Sequence, residues 1–176
     1  IQKALKKLPD IIITDIMMPK VNGIELTKTL KNNENTSHIP IIMLTAKSSD
    51  ESKIEGLETE VDDYLTKPFN IKELQIRIKN LLKIRRKLQE KYNKSITVNP
   101  SEITTTSVDE KFLNKLLKAI EDHMSDSEFS VEILCDIVGM SRANIHKKLK
   151  HLLNQNATEF INSVRLKRAA QLIKQN

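Results

Sequence analysis

The 176-residue chain has one cysteine, Cys135, no tryptophan and only three glycines. A single thiol cannot close an internal disulfide, and no Cys/His spacing suits a metal, which fits a reducing cytoplasm. Aromatic residues make up 3% of the chain, so its cores must be built from Ile, Leu, Val and Met. Long hydrophobic runs are missing as well. The apolar runs at 11–13 and 41–44 fall far short of the ~20 residues that span a bilayer. No membrane contact is expected of this segment, and the opening IQKALKK is too polar for a signal peptide.

What is present is charge. Charged residues make up 30% of the chain and hydrophobic ones 39%, a globular balance. The net charge of +6 is uneven: −2 over residues 1–69, +7 over 70–95, −6 over 96–140 and +7 over 141–176. A basic C-terminal segment suits a phosphate-backbone binder, although a solvated helix face gives the same count.

Two textures divide the chain. In the first, DIIIT (10–14) and IPIIML (39–44) are short, β-branched and not alternating, as buried parallel strands are. A third run is 64–66. Helical patterns at 23–32 and 50–58 alternate with them, which argues for βαβ units and a parallel sheet. Residues 1–7 read as a helix tail with Ala4, Leu5 and Leu8 on one face. Asn70 opens a long helix to about Lys91, with Glu73 placed to reach back to the cap. Residues 93–107, rich in Ser, Thr and Asn, read as a linker, with a strand-like stretch at 96–98.

From Val108 the texture is helical. Phe112, Leu113, Leu116, Leu117 and Ile120 share a face. Ser130 caps a helix over 131–138 that Gly139 ends, and Ser141 caps a helix to about Leu153. A last helix covers about 158–174. The fold class expected is α/β plus all-α: a partial doubly wound parallel sheet over residues 1–92, a linker over 93–107, and a helical domain over 108–176.

Asp15, Thr45 and Lys67 close the three strand-like runs. In open parallel sheets ligands gather at the carboxyl ends of the strands. A carboxylate nucleophile, a hydroxyl donor and an ammonium counter-charge suit phosphoryl transfer to a carboxylate.

PDIIITDIMMPKVNGIEL, IPIIMLTA and DDYLTKPF, in that order, resemble the receiver domain of two-component response regulators. The resemblance implies a flavodoxin-like fold, with Asp15 as phosphoacceptor from a kinase histidine. Thr45 would hydrogen-bond the phosphoryl oxygens, Lys67 would pair with the phosphorylated Asp15, and Tyr64 would be the switch aromatic. Mg²⁺ would lie on Asp15 and the Met17 backbone carbonyl. The Lys67–Pro68 bond matches one often cis in the family, and Gly23 a position needing a permissive backbone.

Two departures accompany the resemblance. Roughly 40 residues of the family's sheet are expected to precede this segment. Mg²⁺ binding should then be weak or absent here and phosphorylation inefficient, and the apolar strand at 10–15 would present an edge that invites a second chain. Glu60–Val61 also stand where the family has Gly-Ala.

FSVEILCDIVGMSRANIHKKLKHLL reads as helix, turn, helix. Ile133, Leu134 and Ile137 face inward from the first helix, and Ile145, Leu149 and Leu152 from the second. A helix-turn-helix places its second helix in the major groove. Its exposed positions would be Arg142, Ala143, Asn144, His146, Lys147 and Lys150. With TEFINSVRLKRAAQLIKQ, this stretch resembles the first half of an AraC/XylS DNA-binding domain. By that resemblance Ala143, His146 and Lys147 face bases, and Ser141 and Arg142 contact phosphates. At least one of Arg165 and Arg168 would be structural, pairing with an acid. Asn154 replaces a turn glycine and Ala157 a proline; Asn tolerates the left-handed turn. Cys135 and Met140 read as core.

The connector PSEITTTSVDEKFL resembles that of hybrid two-component proteins, which implies a parent carrying a histidine kinase and anchored in the inner membrane. The expected function is phosphorelay control of transcription by a homodimer on duplex DNA. No kinase motif is present and the segment reads as no enzyme: haloacid dehalogenase-type hydrolysis needs a second Asp where Met17 stands. The alternative is a phosphorylation-dependent protein-interaction module.

Overall fold

The computed structural model describes residues 1–19, 21–46, 61–95 and 99–175. The helix expected at 50–58, the strand-like 96–98 and Glu60 lie outside the described residues. The chain divides into two compact units, Ile1–Arg85 and Arg86–Asn176.

The first unit is built on three parallel strands in the order β1 (Ile12–Asp15), β2 (Ile41–Ala46) and β3 (Asp63–Lys67). Ile12 pairs with Ile41 and Asp15 with Leu44; Ile42 pairs with Asp63 and Ala46 with Lys67. The middle strand buries Ile41, Ile42 and Met43 completely. Residues on both faces are therefore covered, which is why its sequence runs apolar without alternating. At the sheet edge, β1 leaves Ile13 exposed.

Helix α1 (Gln2–Lys7) buries none of its residues, so the face expected from Ala4, Leu5 and Leu8 is not a buried one. Helix α2 (Gly23–Lys31) starts where the Asn22 side chain accepts the Ile24 N–H, at 2.9 Å. It places Ile24 beside Ile16 and Met43, with Val61 and Tyr64 packed on that cluster. The Lys31 ammonium, nearly buried, meets Asp62 at 2.6 Å. The same carboxylate oxygen of Asp62 accepts the Ile41 N–H at 2.8 Å, which ties down the start of β2.

Helix α3 (Ile71–Lys94) begins as expected, with the Asn70 side chain accepting the Lys72 N–H. Glu73 does not reach back to the cap. Its carboxylate takes the Arg77 guanidinium instead, at 2.8 Å, and Arg77 also holds Asp63 at 2.7 Å.

The division between units falls inside α3, seven residues before the expected end of the first domain at 92. Tyr92 explains the shift. It is buried in the second unit's core, stacked on Phe160, with its hydroxyl 3.1 Å from the Ser163 hydroxyl and Lys167 over its ring. Nor is 99–107 a free linker: Pro100–Glu102 forms a 3₁₀ turn, and Ile103 and Thr106 are buried.

The rest of the second unit is helical. Helix α4 (Ser107–Asp122) is capped by Thr106, whose hydroxyl accepts the Asp109 N–H. Phe112, Leu113, Leu116, Leu117 and Ile120 are buried as read. Helix α5 (Val131–Val138) starts at the Ser130 cap and ends at Gly139, whose φ of +73° suits glycine. Helix α6 (Arg142–Leu153) starts at the Ser141 cap and ends at Asn154, left-handed at φ +58°. Helix α7 (Ala157–Gln175) opens with Asn156 and Glu159 capping each other reciprocally. Ile133 is half-buried and Leu134 fully buried, but Ile137 is exposed, a correction to its inward reading. Within the short helix α5, Leu134 and Val138 sit one turn apart and take the core face. Met140 is buried, and Cys135 packs half-buried against the core, where burial pushes its thiol pKa up.

Candidate functional site

Because the strands are parallel and in register, Asp15, Thr45 and Lys67 fall at the same edge of the sheet. The Lys67 ammonium pairs with the Asp15 carboxylate. The Met17 N–H donates to the other carboxylate oxygen at 3.3 Å. Lys67 beside Asp15 holds its carboxyl below the usual carboxylate range; partial burial opposes this and the Met17 N–H reinforces it. At neutral pH Asp15 is therefore ionised. Its side chain is 30% exposed and that of Lys67 41%, so solvent reaches both groups.

Thr45 is buried on the middle strand, and its hydroxyl donates to the Ala46 carbonyl at 3.2 Å. Tyr64, paired in register with Met43, is half-buried on the Ile16–Ile24–Met43 cluster. The Lys67–Pro68 bond is cis. Met17 is exposed.

Gly23 is required for a different reason from the expected one. Its φ is not left-handed, but a Cβ there would sit 2.0 Å from the Asp15 carbonyl oxygen. The Gly23 N–H donates to the Ile16 carbonyl at 2.9 Å. The start of α2 thus presses directly on the end of β1, and only glycine leaves room for that approach.

The residues present fit Mg²⁺ only in part. Asp15 and the Met17 carbonyl offer two oxygens, whereas Mg²⁺ takes an octahedral shell. Among the described residues, no group of three or more His, Cys, Asp or Glu is placed to hold a metal.

On α6 the expected groove-facing residues behave differently from one another. Ala143, His146, Lys147 and Lys150 are exposed, and Asn144 is half-buried. Ser141 is exposed, but its hydroxyl accepts the Asn144 N–H as the helix cap. Arg142 is exposed and paired with Glu132 at 2.7 Å. The Lys150 ammonium reaches the Asn154 carbonyl at 3.3 Å. A cleft of about 280 Å³ lies beside Arg142 and His146 and is also lined by Val131, Asn156, Ala157 and Thr158. Arg165 is structural, donating to the Asp126 carbonyl at 2.7 Å and so pairing with backbone rather than with an acid. Arg168 is exposed and bonds Gln171.

Sequence reasoning missed a buried ion pair in the second unit. Lys148 is fully buried and meets the buried Asp109 at 3.0 Å. Helical spacing carried the signal. Lys148 lies three residues after Ile145 and four before Leu152, and Asp109 three before Phe112, so both belong to core faces.

Residues 1–79 match the response regulator receiver domain. Over 180 residues the chain is 31% identical to Response regulator ArlR of Staphylococcus saprophyticus, covering 93% of this chain and 80% of that protein. The chain belongs to the response regulator family. It is also 44% identical over 173 residues to Histidine kinase P4 of Formosa agariphila, covering 98% of the chain but 13% of that protein. Over 75 residues, 43% of the chain and 33% of the relative, it is 53% identical to Phosphate regulon transcriptional regulatory protein PhoB of Pseudomonas aeruginosa. This response regulator therefore spans a small part of some relatives and most of another. Membership implies phosphorylation on an aspartate, and no described helix is long and apolar enough to cross a membrane.

Proposed function

We propose that Asp15 accepts a phosphoryl group from a kinase phosphohistidine, and that α6 reads duplex DNA in response. The observation that carries this reading is the Asp15–Lys67 ion pair at the strand ends, beside Thr45 on the middle strand. An Asp15 carboxylate oxygen attacks phosphorus; the P–O bond forms as the histidine P–N bond breaks, and the leaving imidazole takes a proton from water. Lys67 offsets the added charge. The Thr45 hydroxyl leaves the Ala46 carbonyl for a phosphoryl oxygen, and Tyr64 follows it. The chain is then an acceptor and relay rather than an enzyme. Mg²⁺, which receivers of this family generally bind, neutralises phosphoryl charge when present; Asp15 and Met17 would supply two of its oxygens.

The second unit is proposed to be an AraC/XylS-type helix-turn-helix. Two features support this: the α5–turn–α6 unit with its serine caps and left-handed Gly139, and the absence of any acidic residue in α6. Ser141, Arg142, Ala143, Asn144, His146, Lys147 and Lys150 would form the DNA surface, with a homodimer on repeated half-sites gaining affinity through effective concentration. A hybrid parent carrying its own histidine kinase is supported by the likeness along nearly the whole chain to a far longer protein named as a histidine kinase.

Titration of the chain against labelled duplex at several salt concentrations tests the DNA reading. Binding should be weak and fall steeply with salt, as counterion release requires. Salt-insensitive binding, or none at low salt, would favour a module that docks on protein instead.

A further inference from the structure

We propose that Asp109 and Lys148 form a buried register lock that decides which side of α6 faces outward; the inference rests on the reading of α6 as the DNA-contacting helix. The helix carries adjacent lysines at 147 and 148, and successive residues on a helix point about 100° apart. Either lysine could cover a core edge with its stem while its head reached water. Instead Lys147 is exposed, while Lys148 is sealed at 1% side-chain exposure against an Asp109 side chain at 0%.

The surroundings explain why one arrangement wins. Ile145 and Leu149 beside Lys148 are fully buried, and such apolar packing is non-directional. It would tolerate a small rotation or slide of α6. The ion pair would not, because separating two buried charges leaves each uncompensated in a low-dielectric core. Asp109 is itself held, because its N–H donates to the Thr106 cap at 3.1 Å in the first turn of α4. The Lys148 ammonium also lies 4.5 Å from the centre of the Phe112 ring, one turn further along α4. Contacts of two kinds from one helix therefore fix one position on α6. With Lys148 inside, Ala143, His146 and Lys147 are presented together. Asp109 and Lys148 are positioning residues, remote from any base.

Removing one charge alone destabilises the unit strongly, so the informative variant removes both charges at similar volume: Asp109→Leu with Lys148→Met in the full chain. Thermal unfolding, amide hydrogen exchange along α6, and preference for a duplex selected from a random pool over a scrambled one are measured on wild type and variant. The expected result is an unfolding temperature close to wild type with a loss of that preference of about tenfold. Affinity for scrambled duplex should be unchanged, and α6 amide protection should fall. An unchanged preference with unchanged protection would overturn the lock. A wild-type chain that prefers no duplex defeats the DNA reading instead; amide protection alone then decides whether the pair fixes α6.

Discussion

Two ion pairs of the same chemistry, one in each unit, have opposite fates. Asp15 and Lys67 meet at a sheet edge with about a third of each side chain in solvent; Asp109 and Lys148 meet where solvent is excluded. The exposed pair contributes little to stability, because water competes for both partners. That weakness suits the proposed chemistry, in which the ammonium lets the carboxylate go and later holds its phosphorylated form. The buried pair cannot let go without cost, so it suits geometry. Exposure, more than charge, separates the two aspartates.

The contrast can be broken or sharpened by substitution. The largest effect is expected from Lys148→Met alone, which removes the cation paired with buried Asp109 and should cost about 3–5 kcal/mol in the second unit by chemical denaturation. Next is Gly23→Ala, whose Cβ collides with the Asp15 carbonyl; α2 must shift, at about 2–4 kcal/mol in the first unit, measured by the same titration. Lys31→Met should cost about 1–3 kcal/mol, since Asp62 keeps the Ile41 N–H but loses its cation. The smallest is Asp15→Asn, below about 1 kcal/mol. Its pH signature has a definite sign. The folded carboxyl is lowered, so the pair's contribution is present above the unfolded value near 3.9 and is lost as pH falls through the folded one. Acid titrations of wild type and Asp15→Asn should therefore begin to approach each other below the unfolded value and converge once the pH is below the lowered folded value. A difference that does not shrink as the pH falls through that range would contradict the pairing.

Much of the fold was legible because local rules and tertiary context agree. Residues 41–44 announce a buried strand, and Ser130, Gly139, Ser141 and Asn154 mark helix ends through their own side chains or backbone. Asp15 and Lys67 were readable as partners because parallel strands bring their ends together. What was not legible depends on partners distant in sequence. Tyr92 looks like the end of an amphipathic helix until Phe160 and Ser163 claim it, which moves the boundary into α3. Glu73 has a capping position but finds Arg77 closer at hand. Gly23 suggested backbone freedom, whereas the Asp15 carbonyl dictates its lack of a side chain. Lys31–Asp62 and Lys148–Asp109 join residues far apart in sequence, and in the second pair the only local sign is a charge on an apolar helix face.

The central claim is that the Asp15 carboxylate carries the phosphoryl group. The chain is incubated with acetyl phosphate and Mg²⁺ and then treated with borohydride, which reduces an acyl phosphate to the alcohol, and peptides are mapped by mass spectrometry. Slow labelling is expected, with homoserine at position 15 and none in Asp15→Asn. Reduction at another carboxylate, or undiminished labelling of Asp15→Asn, would contradict it.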